Sequence, residues 1–155
     1  MPPELSHLIA LKGLKFISIL GFSLKKNKKS SSKVLLNLKF TNSLGLAAGL
    51  DKNGDYIDCL SSMGFGFLEI GTITPKSQPG NDKPRLFRIK SSDALINRMG
   101  FNNKGVGHLL SKLKSRKSNI PIGVSIGKNA KTPNELAYKD YIFCLDKIYK
   151  YADYI

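Results

Sequence analysis

Six residues stand where chemistry is most easily done: Lys52, Thr72, Asn97, Ser125, Lys128 and Asn129, each in or just after a short apolar run. Together they offer ammonium groups for an anion, and hydroxyls and amides as hydrogen-bond donors and acceptors. By residue type alone a lysine after a strand is usually a surface cation, and Gly-Asn turns are usually only turns. Two other residue types read as structural. Cys59 and Cys144 each lie in an apolar, helix-like stretch and read as buried free thiols. Two cysteines cannot build a disulfide-rich scaffold or a four-thiolate zinc site, and no metal centre is expected. His7 and His108 read as surface residues of helices.

The elements that must position these groups follow from periodicity. Residues 2–22 read as a helix with Leu5, Leu8, Ile9, Leu14, Ile17 and Leu20 at near-helical spacing, Lys12 and Lys15 at its flanks, prolines at its start and Glu4 at its positive end. Residues 25–33, KKNKKSSSK, read as a polar basic linker. The segment 34–40 reads as a strand and 41–43 as a turn. Buried strands are expected over 44–49, 67–72 and 120–126, helices over 56–63 and 106–116, and a long loop over 75–84. Residues 86–89 and 94–96 could pair as a hairpin across Ser91-Ser92-Asp93. Leu109, Leu110 and Leu113 should face inward from the helix at 106–116. Thr132-Pro133-Asn134-Glu135 reads as a capping box that opens a helix burying Tyr141, Ile142, Leu145 and Ile148. A further strand begins at 152–155. Strands alternating with helices argue for a parallel α/β fold, in which ligands sit at the carboxyl ends of the strands. That is where the six residues gather.

Composition narrows the partners. At 155 residues, with 41% hydrophobic and 23% charged residues, the chain suits one folded domain. No run reaches the ~20 apolar residues that span a bilayer. The formal charge is +14, but nearly all of it is lysine, with arginine only at Arg85, Arg88, Arg98 and Arg116. Nucleic-acid readers lean on arginine for bidentate contacts, so nucleic acid is not an expected partner. Lysine near an anionic lipid surface is favourable by ~1 kcal/mol each. An anionic membrane surface is therefore an expected partner.

Five strings in order carry a family resemblance: LAAGLDKNG at 46–54, MGFGFLEIGTITP at 63–75, PGNDKPRLFR at 79–88, LINRMGFNN at 95–103, and IGKN with TPNE over 126–135. They resemble the dihydroorotate dehydrogenases, and the long loop and N-terminal segment resemble the quinone-linked, membrane-associated class 2 group. The resemblance implies an N-terminal amphipathic helix over 1–24 facing membrane and quinone. It also implies the first strand–helix units of a flavin-binding (β/α)8 TIM barrel over 34–155. The implied activity is oxidation of dihydroorotate to orotate, with flavin mononucleotide (FMN) and a quinone as acceptor, in pyrimidine synthesis. Ala48, Gly49, Leu50, Asp51, Lys52, Thr72 and Ser125 are implied to hold the FMN. Lys52, Asn97, Arg98, Met99, Gly100 and Phe101 are implied to hold the substrate. Absence of an arginine-rich, acid-poor leader, with Glu4 early and no arginine before Arg85, points to the cytoplasmic face of a bacterial inner membrane.

Three departures qualify the match. A full barrel takes ~250 residues, so the expectation is an N-terminal portion lacking the partner half of the barrel and, with it, the family's serine base. No catalytic base is assigned within the chain. The alternative is a truncated, non-catalytic remnant or the flavin-binding half of a split protein. Ser125 stands where the family usually has asparagine. Only the second of the family's two N-terminal helices is recognisable.

Overall fold

The computed structural model describes residues 1–21 and 32–155. Most of the expected basic linker, from residue 25 to 31, lies outside the described residues. The chain opens with α1 (Pro3–Ile19), whose first turn tolerates proline because its N–H would be unpaired anyway. The hairpin strands β1 (Lys33–Leu35) and β2 (Leu38–Phe40) follow, then β3 (Gly45–Leu46), α2 (Ile57–Ser61), β4 (Phe67–Ile73), β5 (Leu86–Ile89) and β6 (Ala94–Asn97). The chain continues with α3 (Val106–Ser115), β7 (Ile122–Ile126) and α4 (Ala137–Ile148).

The central sheet is parallel, in the order β3-β4-β7. A fourth strand begins beside β7: Asp153 N–H donates to Ile122 O (2.8 Å) and Val124 N–H to Tyr154 O (3.1 Å). Helices α2, α3 and α4 cross between successive strands, so the expected β/α alternation forms, as the opening units of a barrel preceded by a helix. The core lies between sheet and helices. Leu68, Ile70 and Ile73 of β4 meet Ile122 and Val124 of β7, with Leu60 and Leu109 from the helices, all at most 1% exposed. Each such side chain contributes roughly 1.5–3 kcal/mol by leaving water.

Three expectations are corrected. Residues 34–40 are not one strand. Leu36 and Asn37 take φ of 48° and 63°, and two left-handed residues in succession make the tight turn of a hairpin. Neither residue is the glycine that would have advertised it. On α4 the buried positions are Cys144 and Ile148, while Tyr141, Ile142 and Leu145 are exposed. The helix is apolar on two adjacent stripes, and contact with α3 and β7 selects the stripe one residue over. The Thr132 capping box does not form: the Thr132 hydroxyl donates to Asp140 Oδ2 (2.7 Å), and Pro133 opens a short 3-10 turn without a side-chain cap. Along α1 only Leu11 is buried, with Leu14 packed beside it. Leu5, Leu8, Ile9, Ile17 and Leu20 are exposed, since the helix packs on α2 and β5 by a narrow edge; Leu5 and Leu8 face an open cavity. The hairpin at 86–97 forms as expected, with Asp93 left-handed at its turn.

Candidate functional site

A cavity of about 810 Å³ opens at the carboxyl ends of β3 and β4, walled on the far side by α1. The loop after β3 supplies Ala48, Gly49, Leu50, Asp51 and Lys52 to its lining; β4 supplies Thr72. Asn97, Met99, Gly100 and Phe101 come from the end of β6 and the loop beyond it. Three separate stretches of chain thus converge, and the sheet geometry is what brings them together.

The β3 loop is shaped from inside by Asp51. Its carboxylate is 2% exposed and accepts the N–H groups of Asn53 (3.3 Å), Asp55 (3.1 Å) and Tyr56 (2.8 Å). Burial pushes the carboxyl up, against the pull of those three donors. This folding of the loop presents Lys52 to the cavity, where Nζ donates to Gly49 O (2.6 Å). Burial, aided by the charge of Arg85, lowers the Lys52 pKa. An ammonium has three N–H bonds, so one hydrogen bond leaves two for an anion. Gly49 has φ of +110°, and a Cβ built there would point into the space beside Lys52 Nζ, 4.0 Å away. The bare backbone is therefore a cradle that a side chain would partly fill.

Thr72 and Ser125 sit on neighbouring strands, with their hydroxyl oxygens 2.9 Å apart. Only Thr72 lines the cavity; Ser125 stands behind it. Arg98 does not line it either. Its Nη2 donates to Pro84 O (3.1 Å), and its backbone N–H donates to Arg85 O. Lys128 donates to Thr132 O (2.9 Å), and Asn129 joins a bracing network by donating to Thr74 Oγ1, Lys76 O and Gln78 Oε1. Both are supports outside the cavity. Asn103 is the second brace: 6% exposed, it donates to Thr74 Oγ1 (2.8 Å) and Phe101 O (2.7 Å) and accepts from Gly105 N (2.7 Å). Gly100, at φ +69°, lets the loop after β6 press on Asn81, whose Oδ1 would lie 2.6 Å from any added Cβ.

Asn102, Tyr56 and His7 are among the lining residues that sequence reading missed. Asn102 lines the cavity, and its Oδ1 is a buried acceptor with no partner among the described residues. Tyr56 lines the floor. His7, read as a surface residue, faces the cavity from α1; burial, then the nearby Lys52 charge, lower its pKa and favour the neutral imidazole. No local signal announces these contacts, since they join residues far apart in the chain. His108 is also half-buried, with Nε2 2.8 Å from Asp55 Oδ1. Among the described residues, no group of three or more His, Cys, Asp or Glu could hold a metal.

The α1 wall is fastened through Glu4, which pairs with Arg85 and, at 3.7 Å, with Lys83 Nζ. Arg85 donates from Nε and Nη2 to the two oxygens of Glu4 (2.9 and 3.0 Å), and from Nη1 to Pro79 O and Asn81 O. These bonds hold the Glu4 carboxyl below its usual range. Arg88 adds a contact to Met1 O (2.8 Å).

Comparison with known proteins agrees with this architecture. The family model described as dihydroorotate dehydrogenase matches residues 31–155. The chain is 52% identical over 157 aligned residues to the dihydroorotate dehydrogenase (quinone) of Shewanella pealeana, covering 100% of this chain and 46% of the relative. The protein of the same description from Cellvibrio japonicus is 53% identical over 156 residues, covering 99% and 45%. Among solved structures, DHODH of Eimeria tenella in complex with ferulenol superposes with a TM-score of 0.83 at 36% identity, covering 98% of this chain and 42% of that one. The chain thus spans a little under half the length of the curated relatives it matches. With the family match running over the whole β/α portion and the site loops in its order, the chain belongs to the dihydroorotate dehydrogenase family.

Proposed function

We propose that the protein to which this chain contributes oxidises dihydroorotate to orotate with FMN and passes the electrons to a membrane quinone. The observation that carries this reading is the convergence of Lys52, Thr72 and the loop from Asn97 to Asn102 on one cavity with the bare backbone of Gly49. Family membership implies a flavin. The residues fit one: Gly49 leaves room for a flat ring against the backbone, and Thr72 offers a hydroxyl beside it. The cofactor supplies the hydride chemistry; the protein binds, orients and shields.

The chain's own part can be derived group by group. Lys52 holds the substrate carboxylate through its two remaining N–H bonds. Asn97 and Asn102 offer amide groups from the same loop to the edge of the ring. Gly100 allows the loop the tight turn that brings Phe101 over the site. A carboxylate, a planar ring and an imide edge are the features of an orotate-like molecule, and this mixture of groups matches them. Base catalysis needs a proton acceptor within about 2.6–3.2 Å, directly or through one water. Lys52 serves as the cation, so the base is proposed to come from the part of the relatives' length that this chain does not span.

On the α1 side, Leu5, Leu8 and Leu11 give the cavity an apolar wall interrupted by His7. An apolar ring with carbonyl oxygens fits that wall, with the neutral imidazole N–H available to one carbonyl. Among the described residues no helix is long and apolar enough to cross a membrane. The exposed Phe16, Ile17, Ile19 and Leu20 of α1 support a peripheral seat on a membrane surface, proposed as the cytoplasmic face of a bacterial inner membrane.

The test is anaerobic mixing of the full-length, flavin-loaded protein with dihydroorotate. Bleaching of the flavin absorbance is expected, and so is orotate binding that weakens about ten- to a hundred-fold in Lys52→Ala, the loss of one charge-assisted hydrogen bond. An unbleached flavin, or unchanged orotate affinity in the variant, would overturn the assignment.

A further inference from the structure

A second cavity, of about 550 Å³, shares Tyr56 with the first and lies between the C-terminal half of α1, the start of α2 and the end of α3. Its lining is cationic: Lys15, Lys112, Arg116 and Lys117 face two carboxylates, Asp55 and Asp58. Both carboxylates are already engaged. Asp55 takes Lys104 Nζ and His108 Nε2 at 2.8 Å each, with Lys112 Nζ at 3.7 Å. Asp58 Oδ1 accepts the backbone N–H groups of Lys117 (2.9 Å) and Ser118 (3.0 Å). The cations are less fully used. Lys15 donates to Asp55 O (3.2 Å) and lies 5.7 Å from the Tyr56 ring centre. Arg116 Nη2 donates to Asp153 Oδ2 (3.0 Å), but its Nη1 is buried with no acceptor among the described residues.

A buried guanidinium N–H without an acceptor is costly, and a concave site whose cations outnumber its carboxylates attracts anions. Guanidinium and ammonium groups around one void suit the spread oxygens of a phosphate. We propose that this second cavity binds a phosphate-class oxyanion, with Lys112, Arg116 and Lys117 as its principal donors. The group has two sources: a free phosphate, or the headgroup of an anionic phospholipid. The lipid source has support at the rim, where Ile19 is 73% exposed beside exposed Phe16 and Leu20, an apolar border for acyl chains. The site uses none of the residues assigned above to flavin or substrate.

The experiment uses the full-length protein and reads binding alone. Inorganic phosphate is titrated by calorimetry, and co-sedimentation is measured with vesicles of phosphatidylcholine alone and with an equal part of phosphatidylglycerol. The variants are Lys112→Gln/Lys117→Gln and, separately, Arg116→Gln. A control, Lys33→Gln/Lys39→Gln, removes equal charge from the exposed β1–β2 hairpin. Phosphate affinity should fall about ten-fold or more in the cavity variants, as expected for lost charge-assisted bonds, and little in the control. Loss of phosphatidylglycerol-dependent sedimentation in the same variants identifies the lipid source; sedimentation unchanged while phosphate binding falls identifies the soluble one. Failure of wild type to bind either probe, or equal losses in cavity and control variants, overturns the proposal. Arg116→Gln also removes the bond to Asp153; should it unfold, the double lysine variant alone decides.

Discussion

The two walls of the main cavity are built on different principles. The sheet-end wall grows out of β3, β4 and the loop after β6, and its loops are tied by buried amides: Asn103 and Asn129 each serve several partners at once. The α1 wall has one buried residue, Leu11, and depends on the Glu4–Arg85 pair and a few contacts from Arg88. The first wall cannot move without unpairing buried polar groups; the second can lift after the loss of the Glu4 contacts. The comparison teaches that precision and access are allotted to separate parts of the site. Lys52, Thr72 and Asn97 sit on the rigid side, and the apolar Leu5, Leu8 and Leu11 sit on the detachable one.

Four experiments would break or sharpen that contrast. The largest effect is expected from Asn103→Ala, which strands the backbone N–H groups of Thr74 and Gly105. Global stability should fall by roughly 3 kcal/mol, since each buried group left unpaired costs ~1–3 kcal/mol. Urea unfolding of the full-length protein measures it, and a loss under 1 kcal/mol would mean that the sheet-end wall is not braced as described.

Next is Glu4→Gln, which replaces a bidentate ion pair by a weaker contact. Here the expected change is local: amide exchange along α1 should quicken by about ten-fold while β4 and β7 stay protected. Equal acceleration in both regions would erase the distinction between the walls.

Acid should act on the same joint. Because Glu4 is held below its ordinary value of 4.5 in the folded protein, its contribution is fully present above that value. It disappears as the pH falls through the lower folded value. Exchange in α1 should therefore rise below about pH 4.5, and Glu4→Gln should flatten that rise. A profile identical in wild type and variant would remove Glu4 as the fastening group.

The smallest effect concerns Ser125→Asn. The longer amide replaces a hydroxyl that now sits against Thr72 and restores the group usual in the family. Flavin affinity should hold or tighten by no more than about ten-fold, the scale of one net hydrogen bond. Measured by fluorescence quenching of titrated flavin, a marked loss would show a pocket fitted to serine.

Much of this architecture was legible in the chain itself, for identifiable reasons. The strands over Phe67–Ile73 and Ile122–Ile126 are nearly continuous apolar runs bounded by turn residues, and such runs announce buried parallel strands. The 86–97 hairpin showed through its Ser-Ser-Asp connection. Loop residues such as Lys52 and Thr72 were reachable because ordered motif strings located them. What stayed hidden depends on contacts distant in sequence. Nothing near His7 or Asn102 tells that either meets Lys52's cavity, and nothing in Leu36-Asn37 marks a left-handed turn. The choice between two apolar stripes on α4 was equally open until α3 was in place.

Arg85 carries one last consequence. It immediately precedes β5, whose Leu86 is paired in register with Asn97, and its own carbonyl accepts the Arg98 N–H at 2.9 Å. From Glu4 to Asn97 there are thus only two joints, a guanidinium fork and a pair of strand partners. In mechanical terms α1 and the hairpin form a linkage joined by the Arg85 fork and, at its outer end, by the Arg88–Met1 contact. A tilt of the helix pulls first on the strand pair that carries Asn97, so the entrance has a lever on the far rim, against which the Asn103 and Asn129 braces act.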